Sequence, residues 1–354
     1  MTKILCVGLG GVGVMAAYTL KKNNGSDIEL TAVIRSDYDL VTREGYTISS
    51  CDYGGRKEGE DSIKGFKPDV IVKSVEDIHS GPFDYILIST KVVPSEFNIW
   101  DQIKHNTSKL IKPDFGTSIV LVQNGIDIES YWSDIEGVNL ISGVSYISST
   151  NNKGHVTQFS HDTLVLGLFD IKKVHDKQAV SSLETLIKLY DNGINSTKLD
   201  HNARFTRWKK LIYNAAYNTV CCLTDLDVGK VYELKDSKQI IDKVFYPLMK
   251  EVQYIANLDL KQYDYGDYNQ YITEENITNM IRDTELFDAP ENYQPSMLVD
   301  SRNGRLIELE IILGNILKVY QQIKGNDNEI KKDLPYLNFL YYLLSMVQHR
   351  LEQK

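Results

Sequence analysis

The chain has 354 residues, about two domains' worth at roughly 150 residues each, and with 42% hydrophobic and 25% charged residues it has the composition of a globular protein with a sizeable core. Thirty-nine basic against 48 acidic side chains leave a net charge of −9, and no lysine- or arginine-rich run stands out, which argues against broad electrostatic binding to nucleic acid or to an anionic membrane. The four cysteines, Cys6, Cys51, Cys221 and Cys222, form no CxxC pair and two are adjacent; neither a zinc site nor a disulfide framework is indicated, and a reducing, cytoplasmic compartment is expected.

Residues 4–20 are nearly free of charge and follow a single lysine, as a secretory signal would. Glycines at positions 8, 10, 11 and 13 break the continuous helix that a signal core needs. The longest apolar run elsewhere, residues 339–347, is far short of the ~20 residues that span a bilayer. The chain is therefore expected to be soluble, with its start at Met1 retained.

Residues 4–7 read as a short apolar strand, residues 12–22 have the periodicity and length of a helix, and a second strand is expected at 28–34. Strand, glycine turn, helix and strand within about 30 residues is the size of one βαβ crossover. Further strands are expected at 70–72, 85–89, 118–122 and 139–146, separated by turn-rich or helical stretches such as 94–105. That alternation predicts an α/β fold, a mostly parallel sheet with helices on both faces. Between residues 143 and 169 three short strands, bounded by Asn151, Asn152, Gly154 and Asp162, predict an antiparallel extension. A helix near 176–190 and a strand near 196–199 close this half. Beyond His201 strand signals almost vanish, and residues 204–223, 237–257, 274–282, 297–323 and 334–352 read as helices. The expected domains are 1–200, α/β, and 201–354, all-helical. Residues 260–295, rich in Tyr, Asp and Asn, are expected to form a long, partly ordered excursion.

Gly8-Leu9-Gly10-Gly11-Val12-Gly13 fits GxGxxG, follows a strand and opens a helix. In that setting a turn free of Cβ atoms lets a pyrophosphate approach the helix N-terminal amides, which makes the first domain Rossmann-type and dinucleotide-binding; the bland alternative is a turn that serves only close helix packing. An NAD site is expected to carry a carboxylate about 20 residues beyond the glycines. Here the second strand ends in Ala32-Val33-Ile34-Arg35-Ser36, with Arg35 lying 22 residues after Gly13. A guanidinium holds a 2′-phosphate by paired hydrogen bonds, so the expected cofactor is NADPH/NADP+, with Ser36 as a second donor.

Lys210, Asn214 and Asn218 recur at i, i+4 and i+8 within Trp208–Asn218, and so share one helical face. Asparagine is a poor helix former, and a buried polar stripe is costly unless something binds it; a solvated face is the alternative. A desolvated lysine has a lowered pKa and can donate a proton to a developing alkoxide. Replacing either asparagine by alanine is then expected to leave thermal stability unchanged or better while lowering kcat/KM. Lys209 is the rival acid, but its i+4 and i+8 neighbours, Tyr213 and Tyr217, read as packing residues. The seven histidines show no metal-ligand spacing, and no metal is expected.

At these residues the chain resembles the ketopantoate reductase family, of the wider 6-phosphogluconate dehydrogenase-like group. Four features match in order over most of the length: the GLGGVG turn with the IRSDYDLV segment, Ser89-Thr90-Lys91 at a strand end, Gln123-Asn124-Gly125, and the KLIYNAAYN helix, with Ser296-Met297-Leu298 and Glu308 following. The resemblance implies a general acid at Lys210, a lysine near cofactor and substrate at Lys91, and active-site roles for Asn124, Ser296 and Glu308, with Asn124, Asn214, Asn218 and Ser296 fixing the substrate and Asn124 and Glu308 also touching the cofactor. It implies NADPH-dependent reduction of 2-dehydropantoate to (R)-pantoate for pantothenate and coenzyme A synthesis. Another 2-oxo acid, or a non-catalytic NADPH sensor, stand as alternatives, and a homodimer is the assembly left open. The chain departs from the family pattern at Ile307, where a threonine is usual, and in the length of the 260–295 excursion. Twelve residues of unbroken helix would put Glu308 about 18 Å from Ser296. Either Gly304 permits a bend, or, as we favour from sequence, Ser296 faces a substrate carboxylate while Glu308 accepts from a ribose or holds Lys210.

Overall fold

A computed structural model describes residues 1–94, 98–170, 173, 175–325 and 327–353. Its strands are β1 (Thr2–Val7), β2 (Ile28–Val33), β3 (Tyr46–Ser50), β4 (Ile63–Phe66), β5 (Val70–Val72), β6 (Tyr85–Ile88), β7 (Thr117–Leu121), β8 (Val138–Ser145), β9 (Ser149–Asn152), β10 (His155–Gln158), β11 (Thr163–Leu168) and β12 (Ser196–Leu199). Eight of them form one sheet in the order β12-β11-β8-β7-β6-β1-β2-β5, in which every pairing is parallel except β11 with β8. β6 and β7 are buried along their whole length, which is why Tyr85–Ile88 and residues 119–121 of β7 read as unbroken apolar runs rather than as alternation. The helix Gly11–Asn24 returns the chain from β1 to β2 and buries Val14, Met15, Ala17 and Leu20.

The antiparallel extension is present, but two of its three strands leave the main sheet. β9 and β10 join β3 and β4, neither of which was expected, in a four-stranded sheet of order β4-β3-β10-β9, with β10 paired to β3. The β3–β4 pair has a register shift, and β4 is half-exposed around Gly65, so the segment lacks the alternation that betrays a strand. Residues 95–97, inside the helix expected at 94–105, lie outside the described residues; the helix itself is Ile99–His105.

The chain groups into two compact units. The first holds residues 1–91, 98–123 and 128–203; the second holds residues 92–94, 124–127 and the chain from Arg204 onward. In the second unit the helix Ala203–Tyr213 continues through one π-helical turn, Asn214–Asn218, into Thr219–Thr224. It is fastened to the helix Tyr246–Leu260 by Asp259, whose carboxylate accepts from Arg204 Nε (2.5 Å), Arg204 Nη2 (2.8 Å) and Trp208 Nε1 (2.7 Å), all buried. This places Lys210 two residues beyond a rigid anchor.

The single helix expected at 297–323 is broken. Ser296–Arg302 ends at Gly304, whose φ of 66° is left-handed, with Arg305 N–H donating to Asp300 O (2.9 Å) and Gly304 N–H to Ser301 O (3.0 Å). These two bonds are a Schellman motif, which satisfies the last carbonyls and stops the helix. The chain then runs irregularly to Glu308 before a π-helical turn, Glu310–Gly314, leads into Asn315–Lys324. Residues 260–295 are more ordered than expected. Gln253 Nε2 and Asn257 Nδ2 both donate to Ile272 O (2.9 Å each), and a capping box at Thr273 and Asn276 starts the helix Glu274–Asp283. Among the described residues no helix is long and apolar enough to cross a membrane.

Candidate active site

The glycine turn follows β1 and is shaped by close approach. Gly8 has φ 93°, and a Cβ there would collide with the Thr90 backbone; a Cβ on Gly13 would collide with Gly8 O and Ser89 Oγ. Thr90 is held in turn by Gln123, whose Nε2 donates to Thr90 O (2.8 Å) and to Thr90 Oγ1 (3.1 Å). Gly10 differs: nothing lies within 4 Å of the place its Cβ would take. It precedes a 14-residue helix that has no side-chain cap and no acid in its first turn. Open space before uncapped N-terminal amides suits a dinucleotide pyrophosphate, so Gly8, Leu9, Gly10, Gly11, Val12 and Gly13 fit the group that the motif implies.

Arg35 and Ser36 are exposed on the loop after β2. Asp37, two residues further on, was not singled out from sequence. Its carboxylate lies beside the glycine turn, because Asn151 Nδ2 donates both to Asp37 Oδ2 (2.8 Å) and to Leu9 O (3.1 Å). An acid is therefore present near the strand end after all, displaced by two residues from the position first considered. Lys91 is exposed just beyond β6.

Within the second unit, Lys210 Nζ donates to Asn124 Oδ1 (3.0 Å), Asn124 Nδ2 donates to Glu308 Oε2 (3.3 Å), and Glu308 Oε1 accepts from the Val92 amide (3.0 Å). Lysine, asparagine and glutamate, 98 residues apart from Lys210 to Glu308, thus form one hydrogen-bonded chain. Gly125 allows this: its φ is 92°, a Cβ would strike Ile311 O, and its own carbonyl accepts from Arg207 Nη1 (3.2 Å). Asn315 Nδ2 fixes the next carbonyl, Ile126 O (2.8 Å). Burial and the Arg207 guanidinium pull the Lys210 pKa down to about 8, against the opposing pull of the Glu308 carboxylate. Lys209 is exposed, and Tyr213 and Tyr217 stack at 5.0 Å in the interior, as their spacing predicted.

One and two turns further along the helix stand the asparagines, in the π-helical turn. Asn218 Nδ2 donates to Ser296 Oγ (3.1 Å), and Asn218 Oδ1 accepts from the Met297 amide (2.8 Å). Asn214 is only 6% exposed, yet among the described residues its carboxamide has no hydrogen-bond partner. An amide that is largely covered yet spends no hydrogen bond within the fold keeps its donors and acceptor available to a ligand. Such π-helical insertions occur often at functional sites, where they re-aim side chains.

Residues 4–170 match the profile "Ketopantoate reductase PanE/ApbA", and residues 202–348 match "Ketopantoate reductase PanE/ApbA C terminal". The chain belongs to the ketopantoate reductase family. It is 36% identical to an uncharacterized protein of Saccharomyces cerevisiae, YDL144C, over 100% of this chain and 96% of the other. Among solved structures it resembles in fold 2-dehydropantoate 2-reductase from Methylococcus capsulatus (24% identity, TM-score 0.72, covering 99% of this chain and 97% of that one). It also resembles a D-mandelate dehydrogenase in ternary complex with NADH and anilino(oxo)acetate (18% identity, TM-score 0.74, covering 99% and 100%).

For a member of this family the two asparagines now make different predictions. Asn214→Ala removes no hydrogen bond and raises helix propensity, so Tm should hold or rise while kcat/KM falls. Asn218→Ala strips the cap from Met297 and should cost about 1 kcal/mol of stability as well as activity. The sequence expectation that both variants would keep their stability is corrected for Asn218, because its oxygen serves a helix N-terminus that only the fold brings near. Thermal melts and steady-state kinetics on both variants check this; an Asn214→Ala protein with wild-type kcat/KM would remove Asn214 from the site.

Proposed function

We propose that this protein is an NADPH-dependent reductase of a 2-oxo acid, with 2-dehydropantoate as substrate, (R)-pantoate as product and Lys210 as general acid. The observation that carries the reading is the chain Lys210–Asn124–Glu308, with the unpartnered Asn214 one turn away on the same helix. A nicotinamide dinucleotide at the glycine turn supplies the hydride. Lys210 donates the proton to the carbonyl oxygen as negative charge develops there, and its ammonium stabilises that charge first. Asn124 accepts from Lys210 and so fixes the direction of the remaining N–H bonds. Glu308, itself held by the Val92 amide, orients Asn124 and keeps positive charge on the lysine favourable. Asn214 offers both donor and acceptor to a substrate hydroxyl or carboxylate, with Ser296 and Asn218 beyond it.

A second reading, another 2-oxo acid with NADH, is favoured by one feature, the Asp37 carboxylate beside the glycine turn. The likeness to a mandelate dehydrogenase is consistent with it. Oxidation of NADPH and of NADH, followed across a panel of 2-oxo acids that includes 2-dehydropantoate and phenylglyoxylate, separates the two. The reading expects the highest kcat/KM for 2-dehydropantoate with NADPH. A higher value for an aryl 2-oxo acid with NADH would replace it, and silence across the panel would leave a non-catalytic dinucleotide-binding protein.

A further inference from the structure

Asn151 is a strand residue of the small sheet, remote in sequence from the glycine turn, and its carboxamide is fully used. Nδ2 donates to Leu9 O (3.1 Å) in the glycine turn and to Asp37 Oδ2 (2.8 Å) in the loop after β2, while Oδ1 accepts from Gly154 N (3.0 Å) in its own hairpin. One nitrogen cannot separate its two acceptors by more than about 6 Å, so it pins the Asp37 carboxylate next to the turn that would carry the pyrophosphate. Asp37 occupies the residue before the helix Tyr38–Glu44, where an aspartate ordinarily accepts from the first-turn amides; here it makes no such side-chain bond. The same loop therefore carries a guanidinium suited to a 2′-phosphate, at Arg35, and a carboxylate of opposite preference two residues away. β9 is seated against the turn as well: a Cβ on Gly11 would strike the Ser149 carbonyl.

We propose that Asn151 is a positioning residue for cofactor selectivity: it holds the Asp37 carboxylate in one fixed place, and releasing that carboxylate shifts preference from NADPH toward NADH. The proposal rests on the NADPH reading above. A carboxylate free to rotate accepts from ribose hydroxyls and repels a 2′-phosphate through like charge, so its release penalises only the phosphorylated cofactor.

Calorimetric titration of NADP+ and NAD+ into the wild-type chain and into Asn151→Ala, Asp37→Asn and the double variant tests this, with thermal melts on each to establish folding. The NADP+ to NAD+ affinity ratio should fall about tenfold or more in Asn151→Ala. It should return to at least the wild-type value in the double variant, and hold or rise in Asp37→Asn, which keeps the loop's hydrogen bonding and removes the charge. Equal weakening of both cofactors in Asn151→Ala would make Asn151 a structural clip only and overturn the proposal, as would a double variant whose ratio stays as low as that of Asn151→Ala. A wild-type chain that binds NAD+ more tightly than NADP+, or binds neither, overturns the NADPH reading itself, and is distinguished because it appears before any variant is made.

Discussion

Replacing Lys210 by alanine is expected to lower kcat by roughly 10²–10⁴-fold, the range typical of a lost general acid, while dinucleotide affinity changes much less. Delivery of hydride to a ketone leaves negative charge on oxygen, and a desolvated ammonium both stabilises and neutralises it. The acid must be protonated to act. With Lys210 drawn down to about 8 by burial and by Arg207, it is charged below that pH and neutral above it, so wild-type kcat/KM should fall as pH rises through about 8. The alanine variant should lose this alkaline limb. Pairing by Asn124 and Glu308 keeps the lysine in place, so Lys210→Arg, with its planar fork and a pKa that does not titrate in this range, should restore little of the rate. Persistence of the limb in Lys210→Ala, together with its disappearance in Lys91→Ala or Lys209→Ala, would transfer the acid to that other lysine.

The alternation of short apolar strands with helical stretches made the parallel sheet legible, because β1, β2, β6 and β7 are continuous runs flanked by glycine and polar turns. The second sheet was not legible. β3 and β10 lie side by side although 108 residues separate Thr47 from its partner His155, so neither hairpin chemistry nor local periodicity links them, and β4 has only half-buried or exposed residues. Periodicity also joined 297–323 into one helix. The apolar pattern continues on both sides of Gly304, and only a Schellman closure at Asp300, Ser301 and Arg305 reveals the stop.

The site divides along the same line. Lys210, Asn214 and Asn218 were legible because three polar residues at helical spacing on an otherwise packed helix are hard to explain as core. Asn124 and Glu308 came from the family resemblance alone; neither a turn asparagine nor a single acid has a local signal, and their relation to Lys210 exists only through the Gly125 turn. Arg207 and Asn315, which hold the carbonyls of that turn, look in sequence like one more helix cation and one more polar helix residue. Asn151 and Asp37 were hidden for another reason. The first reads in sequence as a turn boundary, the second lies two residues past the position where an NAD-type acid is sought, and they meet only through the second sheet, which has no local signal.

Arg35→Ala is expected to cost about 2–3 kcal/mol of NADPH binding, the worth of a paired, charge-assisted contact to a phosphate, which is roughly a 30- to 150-fold loss of affinity. NADH, which lacks the 2′-phosphate, should be affected little. Arg35 is exposed on its loop, so part of its contribution is screened, and the difference between the two cofactors should shrink as salt is raised. The carboxylate of Asp37 sharpens the prediction. With the guanidinium gone, NADPH loses the attraction that its 2′-phosphate had on this loop, while the Asp37 carboxylate, still held by Asn151, leaves the loop's charge on the glycine-turn side negative; NADH, which has no phosphate there, loses little. The variant should therefore lose its preference for NADPH rather than lose dinucleotide binding altogether. Direct titration with both cofactors at two salt concentrations decides it: equal weakening of NADPH and NADH would show that Arg35 serves the loop and not the phosphate, and the assignment of NADPH would then be left with Ser36 alone, which carries no charge.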